Sequence, residues 1–284
     1  MMMTEMQGKI CVVTGATSGI GQAAAQALAA MGAHVVLVGR NPSKGAETQT
    51  QIRFATGSQT VDFIPSDLSS QASIRELAAQ IDEKYPKLDV LLNNAGAVFA
   101  KREVSPDGIE MTFALDHLNY FLLTNLLLDK LKATPGARVV SVSSTAQTGM
   151  HINFKDLQGE RFYVGYLAYG QAKLANVLFT YELAQRLEGT GVTANCLHPG
   201  VVATGFGHNR PGPLDIAFKL ATPFLLSPEK GARTSVYLAS SPEVAGVSGK
   251  YFARCKPRRS AAASYNRDTA RRLWDVSLQM TGLA

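Results

Sequence analysis

Tyr169 and Lys173 lie four residues apart in an Ala/Leu-rich segment of helical period, so both side chains face one side of a predicted helix. A tyrosine in water has a pKa of about 10, too high for ready proton exchange at neutral pH. An ammonium beside the phenol lowers that pKa, which would make Tyr169 a usable general acid or base. The pair alone is weak evidence, since about half of all chains of this length contain a Tyr and a Lys at this spacing by chance.

Two serines favour a site at the same place. Ser143 and Ser144 come just after the fifth predicted strand. Open parallel sheets bind their ligands beyond the carboxyl ends of the strands. We therefore expect Ser144 and Tyr169 to serve one catalytic site at that edge of the sheet.

A glycine-rich turn follows the first predicted strand. Residues 14–21 read Thr-Gly-Ala-Thr-Ser-Gly-Ile-Gly, and a predicted helix begins at once. Glycines here allow a tight turn and let a pyrophosphate approach the helix N-terminus, where free amides attract anions. The spacing is Gly-x-x-x-Gly-x-Gly, whereas the commoner dinucleotide pattern is Gly-x-Gly-x-x-Gly. Tight turns also use glycine for purely steric reasons, but the position between first strand and first helix favours a nucleotide.

The end of the second predicted strand indicates which nucleotide. A free adenosine ribose is usually held there by an acidic residue, about twenty residues after the glycines. This chain instead has Arg40 and Asn41, with no carboxylate before Glu47. A permanent planar cation suits a 2′-phosphate and leaves a free 2′-hydroxyl without an acceptor, so we predict a preference for NADPH over NADH. The alternative is a solvated arginine at the start of a loop.

Short β-branched runs alternate with segments of helical period, the pattern of βα units around a parallel sheet. Fully apolar runs such as residues 35–38 suit a sheet covered on both faces. We predict an α/β fold, a single Rossmann-type doubly wound domain over residues 1–284, with about seven parallel strands and helices on both faces. The predicted strands are residues 10–14, 34–38, 60–64, 90–93, 137–142, 192–197 and 249–252. The predicted helices are residues 20–31, 43–56, 69–85, 107–132, 166–188, 228–240 and 266–280.

One stretch breaks the alternation of strands and helices. It spans about residues 204–227 and is rich in Gly, Pro and apolar residues. That composition is typical of a segment that closes over a ligand, so we predict a substrate flap there.

Composition excludes several classes of protein. The chain has 284 residues, 46% hydrophobic and 18% charged, with a net charge of +6, which excludes disordered, collagen-like and small cystine-rich proteins. Three scattered cysteines fit a reducing compartment, and the start lacks the features of a signal peptide. No apolar run approaches the roughly 18 residues of a membrane span, so we expect a soluble, cytoplasmic protein.

Two other kinds of partner are also not expected. The basic residues near the end of the chain come with no aromatic interleaving and no phosphate-reading motif, so we predict no nucleic-acid partner. His117 and His151 are single, without a second ligand at usable spacing, so we predict no metal site.

Together these motifs resemble the short-chain dehydrogenase/reductase family over nearly the whole chain. The matching motifs are Thr14-Gly15-x-x-x-Gly19-x-Gly21, Asp67-Leu68, Asn93-Asn94-Ala95-Gly96, Ser144, Tyr169-x-x-x-Lys173 and Pro199-Gly200. Within the family the chain is most similar to the retinol dehydrogenase-like branch. That similarity is carried by Asn153-Phe154-x-Asp156-Leu157, Lys173-Leu174-Ala175-Asn176-Val177-Leu178-Phe179, Leu197-His198-Pro199-Gly200-Val201-Val202, Gly249-Lys250-Tyr251-Phe252 and Arg272-Leu273-Trp274.

The resemblance implies a role for each matching residue. Tyr169 would donate the proton in reduction and accept it in oxidation, Lys173 would hold the nicotinamide ribose and lower the pKa of Tyr169, and Ser144 would hydrogen-bond the substrate oxygen. The cofactor-binding positions would be Gly15, Thr17, Ser18, Gly19, Ile20, Gly21, Arg40, Asn41, Asp67, Leu68, Asn94, Ala95, Gly96, Tyr169, Lys173, Pro199, Gly200, Val202 and Thr204. A homodimer or homotetramer is expected on the same ground.

One position departs from the family pattern. The family usually has Asn where this chain has Asp116, as the fourth catalytic residue, in a proton relay that reaches the lysine through water. The backbone carbonyl of Asp116 could supply the same contact. Its carboxylate could instead pair with Lys173 and alter how strongly the lysine acts on Tyr169. Asn119, one turn further on, could alternatively take over the polar contact.

The resemblance predicts an oxidoreductase that transfers a hydride between the cofactor and an aldehyde, ketone or alcohol. Arg40 adds the preference for NADPH, and the residues expected around the pocket add the preference for an apolar substrate. The aromatic candidates for its pocket are Phe154, Phe162, Tyr163, Phe206, Phe218 and Phe224, while His208, Arg210 and Lys219 could meet an anion. Sugar phosphates and hydroxy acids are disfavoured. The alternatives are a non-catalytic NADP(H)-binding sensor or scaffold with the same fold, and reduction of an activated carbon–carbon double bond.

Overall fold

The apolar runs assemble into one sheet in the computed structural model, which describes residues 6–202 and 226–284. The strands are β1 Ile10–Thr14, β2 His34–Gly39, β3 Val61–Pro65, β4 Val90–Asn93, β5 Arg138–Val142, β6 Thr193–His198, β7 Tyr251–Ala253 and β8 Lys256–Arg258. Within the described residues their order is β3-β2-β1-β4-β5-β6-β7-β8, and all neighbours pair in parallel except β7 and β8. The predicted Rossmann-type α/β fold is confirmed, with eight strands instead of about seven.

The eighth strand follows a two-residue turn that the sequence pattern did not indicate. Arg254 and Cys255 both have positive φ, at 53° and 58°, as a tight hairpin turn requires. Strand β8 is fully exposed and contains Pro257, which an edge strand tolerates because its N–H side can face solvent. A short polar strand of this kind lacks the apolar run by which the other seven were predicted.

Helices cover both faces of the sheet. They are α1 Gly19–Ala30, α2 Pro42–Thr56, α3 Gln71–Lys84, α4 Met111–Phe113, α5 Asn119–Leu126, α6 Leu128–Lys132, α7 Gly165–Arg186, α8 Pro228–Ser240 and α9 Arg267–Thr281. Successive strand residues point to opposite faces: Val12 and Leu91 lie in the core shared with α3, α5 and α7, whereas Val13 and Leu92 lie in the core shared with α1 and α8. This double burial explains the fully apolar strands.

The single helix predicted over residues 107–132 is wrong. The first helix of this region, α4, begins only at Met111, because the carboxylate of Glu110 accepts hydrogen bonds from the backbone N–H groups of Thr112 and Phe113. A π-helical turn, Ala114–Leu118, then separates α4 from α5. Such a turn changes the direction in which its side chains point and is frequent at functional sites.

The predicted flap at residues 204–227 lies outside the described residues except for its last two positions. Leu226 forms an isolated parallel bridge with Val202, and Ser227 caps α8 by accepting a hydrogen bond from the N–H of Lys230. The predicted site residues that fall outside the described ranges are Thr204, Phe206, His208, Arg210, Phe218, Lys219 and Phe224. No helix in the described parts of the chain is long and apolar enough to cross a membrane.

Candidate active site

The turn after β1 and the loop after β4 are packed backbone against backbone. Gly15 has a φ of +63°, and a Cβ on it would lie 2.9 Å from the Cα of Ala95. A Cβ on Gly21 would lie 2.2 Å from the carbonyl oxygen of Gly15. The side-chain amide of Asn94 donates to the carbonyl of Thr14 at 2.9 Å and thereby ties the two segments together. Side chains at these two glycines would therefore displace backbone.

This turn fits the pyrophosphate of a dinucleotide. Helix α1 begins at Gly19 and Ile20, after the N-cap residue Ser18, whose side chain makes no capping hydrogen bond. The first amides of a helix have no partner within it, so they can donate to an anion that approaches over the glycines. The N–H of Ala16 donates to the carbonyl of Val38, which brings the end of β2 beside Thr17 and the rest of the turn.

The residues predicted to contact the adenosine half lie at the same edge of the sheet. Arg40 follows β2 directly and is exposed. Asn41 is the N-cap of α2 and accepts a hydrogen bond from the N–H of Lys44. The carboxylate of Asp67 accepts from the N–H and hydroxyl of Ser69 at 3.0 and 2.7 Å. Leu68 is buried in the core. Asn41 and Asp67 thus also hold local turns, a role that the sequence reasoning missed.

Ser144, Tyr169 and Lys173 come together at the carboxyl edge. Ser144 lies in the loop after β5, and its hydroxyl accepts a hydrogen bond from the N–H of Ala146 at 3.2 Å. It also hydrogen-bonds Tyr169. Lys173, one turn further along α7, is 3% exposed, and its Nζ lies 5.3 Å from the centre of the Tyr169 ring. The arrangement gives a hydroxyl, a phenol and an ammonium on one site.

Asp116 joins this group from the π-helical turn. Its carboxylate is fully buried, and its Oδ2 lies 3.0 Å from the Nζ of Lys173. The other carboxylate oxygen, Oδ1, accepts a hydrogen bond from the N–H of Ala97 at 2.8 Å. The backbone carbonyl of Asp116 accepts a hydrogen bond from the side-chain amide of Asn176. Asn119 instead donates to the carbonyl of Leu115 in the π-helical turn.

The electrostatics of the site differ from the sequence expectation. Burial, followed by the negative charge of Asp116, raises the pKa of Tyr169 above its ordinary value, and the hydrogen bond with Ser144 opposes that rise. Lys173 was expected to lower this pKa. In the structure its charge is paired with Asp116, so burial of the phenol outweighs it. Burial also raises the pKa of Asp116, against the opposing charge of Lys173.

The loop after β6 closes the other side of the site. His198 ends β6, and its Nδ1 lies 3.3 Å from the N–H of Thr145, next to Ser144. Pro199 and Gly200 follow, and Val202 is buried. A Cβ on Gly231 of α8 would lie 2.6 Å from Val202 and 3.2 Å from Ile20. Val202 therefore packs between α8 and the start of α1.

Two neighbours of the site were not predicted from sequence. Asn176 is hydrogen-bonded to Asp116 and to His117, whose Nδ1 lies 3.3 Å from the amide oxygen. Its position three residues after Lys173 was the available signal, since both then share a helix face. Tyr120 places its ring 5.6 Å from the Nζ of Lys173. Among the residues that the structure describes, no group of three His, Cys, Asp or Glu side chains could hold a metal ion.

The predicted aromatic residues are used in different ways. Phe162 is 71% exposed, and Val164, Tyr166 and Leu167 are exposed as well, so four large apolar or aromatic side chains near the start of α7 face solvent; we call them the exposed α7 residues. Phe154 instead packs 4.1 Å from the guanidinium of Arg272. The hydroxyl of Tyr163 contacts Thr112, Phe99 and Glu110, so this tyrosine supports the loops around the site.

A doubly wound sheet with a glycine turn where the strand order reverses is the architecture of dinucleotide-binding α/β proteins. Residues 9–212 match the model of the short chain dehydrogenase family. The chain belongs to this family of NAD(P)(H)-dependent oxidoreductases.

Curated relatives agree over nearly the full length. Human "Retinol dehydrogenase 14" is 42% identical and covers 98% of this chain and 88% of its own. Human "Retinol dehydrogenase 13" is 44% identical, with coverages of 97% and 85%. Human "Polyprenol dehydrogenase" is 42% identical, with coverages of 97% and 86%. The resemblance to the retinol dehydrogenase-like branch is confirmed.

Solved structures agree as well. A crystal structure of an uncharacterized protein from Mycobacterium paratuberculosis superposes with a TM-score of 0.79 at 32% identity, covering 97% of this chain and 94% of that one. The "Pseudomonas aeruginosa RhlG/NADP active-site complex" superposes with a TM-score of 0.71 at 28% identity, with coverages of 93% and 100%.

Proposed function

We propose that this oxidoreductase prefers NADPH and transfers a hydride between the nicotinamide and an apolar aldehyde, ketone or matching alcohol. The observation that carries the proposal is the grouping of Ser144, Tyr169 and Lys173 at the edge of the sheet that also holds the glycine turn. A phenol that can exchange a proton, next to a site for a hydride carrier, supports carbonyl chemistry more than storage or sensing of the nucleotide.

Each side chain has one task in this mechanism. The bound cofactor supplies or accepts the hydride. Ser144 donates a hydrogen bond to the carbonyl oxygen of the substrate, and Tyr169 gives that oxygen its proton during reduction. Lys173 holds the nicotinamide ribose and lies against the Tyr169 ring. Because burial raises the pKa of Tyr169, the phenol is protonated at neutral pH, which suits the direction of carbonyl reduction.

Arg40 supports the choice of NADPH. It is exposed directly after β2, beside the turn that would hold the pyrophosphate. A guanidinium can pair with a 2′-phosphate through two hydrogen bonds and offers nothing to a free 2′-hydroxyl that needs an acceptor. Asn41, at the same corner, carries no charge that would repel the phosphate.

The exposed α7 residues support an apolar substrate. Phe162, Val164, Tyr166 and Leu167 are exposed at or near the start of the helix that carries Tyr169. Exposed large apolar side chains that cluster mark binding surfaces more often than single ones do, and these four lie within six positions of the chain. The names of the relatives, retinol and polyprenol dehydrogenases, also point to apolar alcohols.

A cytoplasmic location, a homodimer or homotetramer, and the absence of a nucleic-acid partner stay predictions.

The test is a steady-state assay of NADPH consumption. The panel contains apolar aldehydes and ketones of increasing length, with a sugar phosphate and a 2-keto acid as polar members. We expect turnover that increases with apolar length and a higher kcat/KM with NADPH than with NADH. Tight NADPH binding with no turnover of any carbonyl or alcohol would instead indicate a nucleotide sensor. Product analysis of an enal distinguishes carbonyl reduction from reduction of its double bond.

A further inference from the structure

The ion pair between Asp116 and Lys173 is almost completely removed from water. Asp116 is 0% and Lys173 is 3% exposed, and the charged atoms Oδ2 and Nζ are 3.0 Å apart. In such surroundings an opposite charge acts far more strongly than at a surface, and each ion depends on the other for compensation. A change in the charge of either group therefore leaves the other group without its compensating charge.

Asp116 is held from three sides. The N–H of Ala97 donates to its Oδ1, and the amide of Asn176 donates to its carbonyl. Above it lies Gly96, where a Cβ would come within 3.0 Å of Oδ2, so the carboxylate occupies the space that a side chain would fill. The carboxylate thus links the loop after β4, the π-helical turn and α7. Its position towards Lys173 is fixed by backbone contacts.

We propose that Asp116 is a positioning residue that acts through Lys173. Its carboxylate holds the ammonium beside the Tyr169 ring and neutralises it, so the phenol faces a neutral pair. The proton then stays on Tyr169 to higher pH than it would beside an isolated lysine. This proposal rests on the proposed function of Tyr169 and adds the group that sets the pH range in which the phenol works.

The groups around the pair agree with this assignment. Among the described residues, the titratable groups that face Asp116, Lys173 or Tyr169 from the surrounding elements are Glu110, His117, Tyr120 and Tyr166. Burial lowers the pKa of His117 to about 4, so this imidazole is neutral at working pH. The carboxylate of Glu110 is occupied by the N–H groups of Thr112 and Phe113. Within the part of the chain that the structure describes, Lys173 therefore provides the positive charge next to Asp116.

A direct titration of the phenol tests the proposal without any turnover. The protein is labelled with tyrosine carrying ¹³C at Cζ, and the Tyr169 signal is assigned by its loss in Tyr169→Phe. Asp116→Asn keeps the size of the side chain and an acceptor for the N–H of Ala97 but removes the countercharge. We expect the Tyr169 signal to titrate at lower pH in Asp116→Asn than in the wild type. An unchanged titration would overturn the proposal.

A kinetic experiment provides the second readout. In alcohol oxidation the phenolate is the base, so log kcat rises with pH up to the pKa of Tyr169. We expect this rising limb to move to lower pH by about one unit in Asp116→Asn, because an uncompensated ammonium now favours the phenolate. In carbonyl reduction activity should be lost at correspondingly lower pH. A fall in kcat by the same factor at every pH would show a merely structural role and contradict the proposal.

Asp89→Asn is the matched control. Asp89 is also buried and paired with lysines, Lys9 and Lys87, but it precedes β4, at the opposite edge of the sheet. Its loss should reduce thermal stability and leave both pH curves in place. The NMR titration also separates the two proposals, since a protein that reduces no carbonyl would still show the shift in Asp116→Asn.

Discussion

Asp89 and Asp116 are two buried carboxylates at opposite edges of one sheet, and their protonation is biased in opposite directions. Burial disfavours ionisation at both positions. Asp89 is compensated by the N–H of Ile10 and by Lys9 and Lys87, and its pKa is lowered. Asp116 has one lysine and one backbone N–H, and its pKa is raised. Deeper burial of Asp116, the nearby carboxylate of Glu110 and its fewer compensating partners together account for the opposite direction.

The two carboxylates lie at edges with different roles: the ion pairs at the amino edge contribute to stability, whereas the ion pair at the carboxyl edge lies in the candidate active site. At the amino edge the partner lysines are 43% and 40% exposed, so water can also solvate them. At the carboxyl edge Lys173 is only 3% exposed, and its Nζ lies 3.0 Å from the Oδ2 atom of the fully buried Asp116. Burial raises the pKa of Asp116, and groups whose pKa is perturbed by burial and a specific charged partner cluster where proton transfer occurs.

Replacing one tyrosine at each edge should give the largest contrast. Tyr169→Phe removes the proposed proton donor, and we expect kcat to fall by about 10²- to 10⁴-fold, the usual contribution of general acid–base catalysis. Cofactor affinity, measured by NADPH fluorescence, should change far less than kcat. Tyr85→Phe removes a phenol that donates to Asp62 at 2.7 Å at the other edge and should leave kcat unchanged. Equal activity of the two variants would refute the assignment of Tyr169.

Arg40→Asp should give the next largest effect, confined to the nucleotide part of the carboxyl edge. Hydrogen bonds to charged groups contribute about 1.5–3 kcal/mol, so the ratio of kcat/KM for NADPH over NADH should fall by about 10- to 100-fold. The exposed Lys132 provides the control, since Lys132→Asp makes the same change of charge away from the site. A preference that Arg40→Asp leaves unchanged would remove Arg40 from cofactor selection.

The sequence predicted most of the carboxyl edge because its motifs depend on local geometry. The four-residue spacing of Tyr169 and Lys173 needs only a helix, and the glycines at 15 and 21 need only the turn after a strand. Their grouping with Ser144 follows from parallel strands that end at one edge. The pairing of Asp116 with Lys173 stayed one of three alternatives, because helical periodicity does not show the π-helical turn that directs Asp116.

The amino edge was not predictable in the same way. The contacts of Asp89 and Asp62 with lysines join residues that are up to 80 positions apart in the chain, and no motif indicates them. The polar strand β8 was missed because it has no apolar pattern of its own. The break between α5 and α6 at Leu127 was missed because the apolar residues run on through it. Local patterns therefore predicted the strands and the catalytic spacing, whereas long-range ion pairs required the structure.

Asp89→Asn should reduce stability while activity remains. The variant loses charge-assisted contacts with Lys9 and Lys87, and because both lysines are partly exposed we expect a loss of about 1–2 kcal/mol in the free energy of unfolding. Thermal unfolding should then occur a few degrees lower, by roughly 2–4 °C for each kcal/mol. Turnover at saturating substrate should match the wild type. A large loss of activity would mean that the two edges are coupled.

Asp62→Asn should give the smallest effect, visible mainly in how stability depends on pH. Asp62 is partly buried at the amino edge, which opposes its ionisation, yet hydrogen bonds from Tyr85, His34 and Lys84 hold its pKa at about 2. An unfolded aspartate has a pKa of about 3.9. The stabilisation is therefore complete above about pH 4 and is lost as the pH falls to about 2.

Urea denaturation at a series of pH values measures this contribution. At pH 7 the Asn variant should be less stable than the wild type by about 1 kcal/mol, since the site is partly exposed. The two stability curves should converge as the pH falls from 4 towards 2, because protonation removes the charge that Asn lacks. Asp129→Asn, at an exposed position, should follow the wild-type curve. Curves for wild type and Asp62→Asn that stay parallel down to acid pH would show that the carboxylate at this edge is not compensated, and the contrast with Asp116 would then fail.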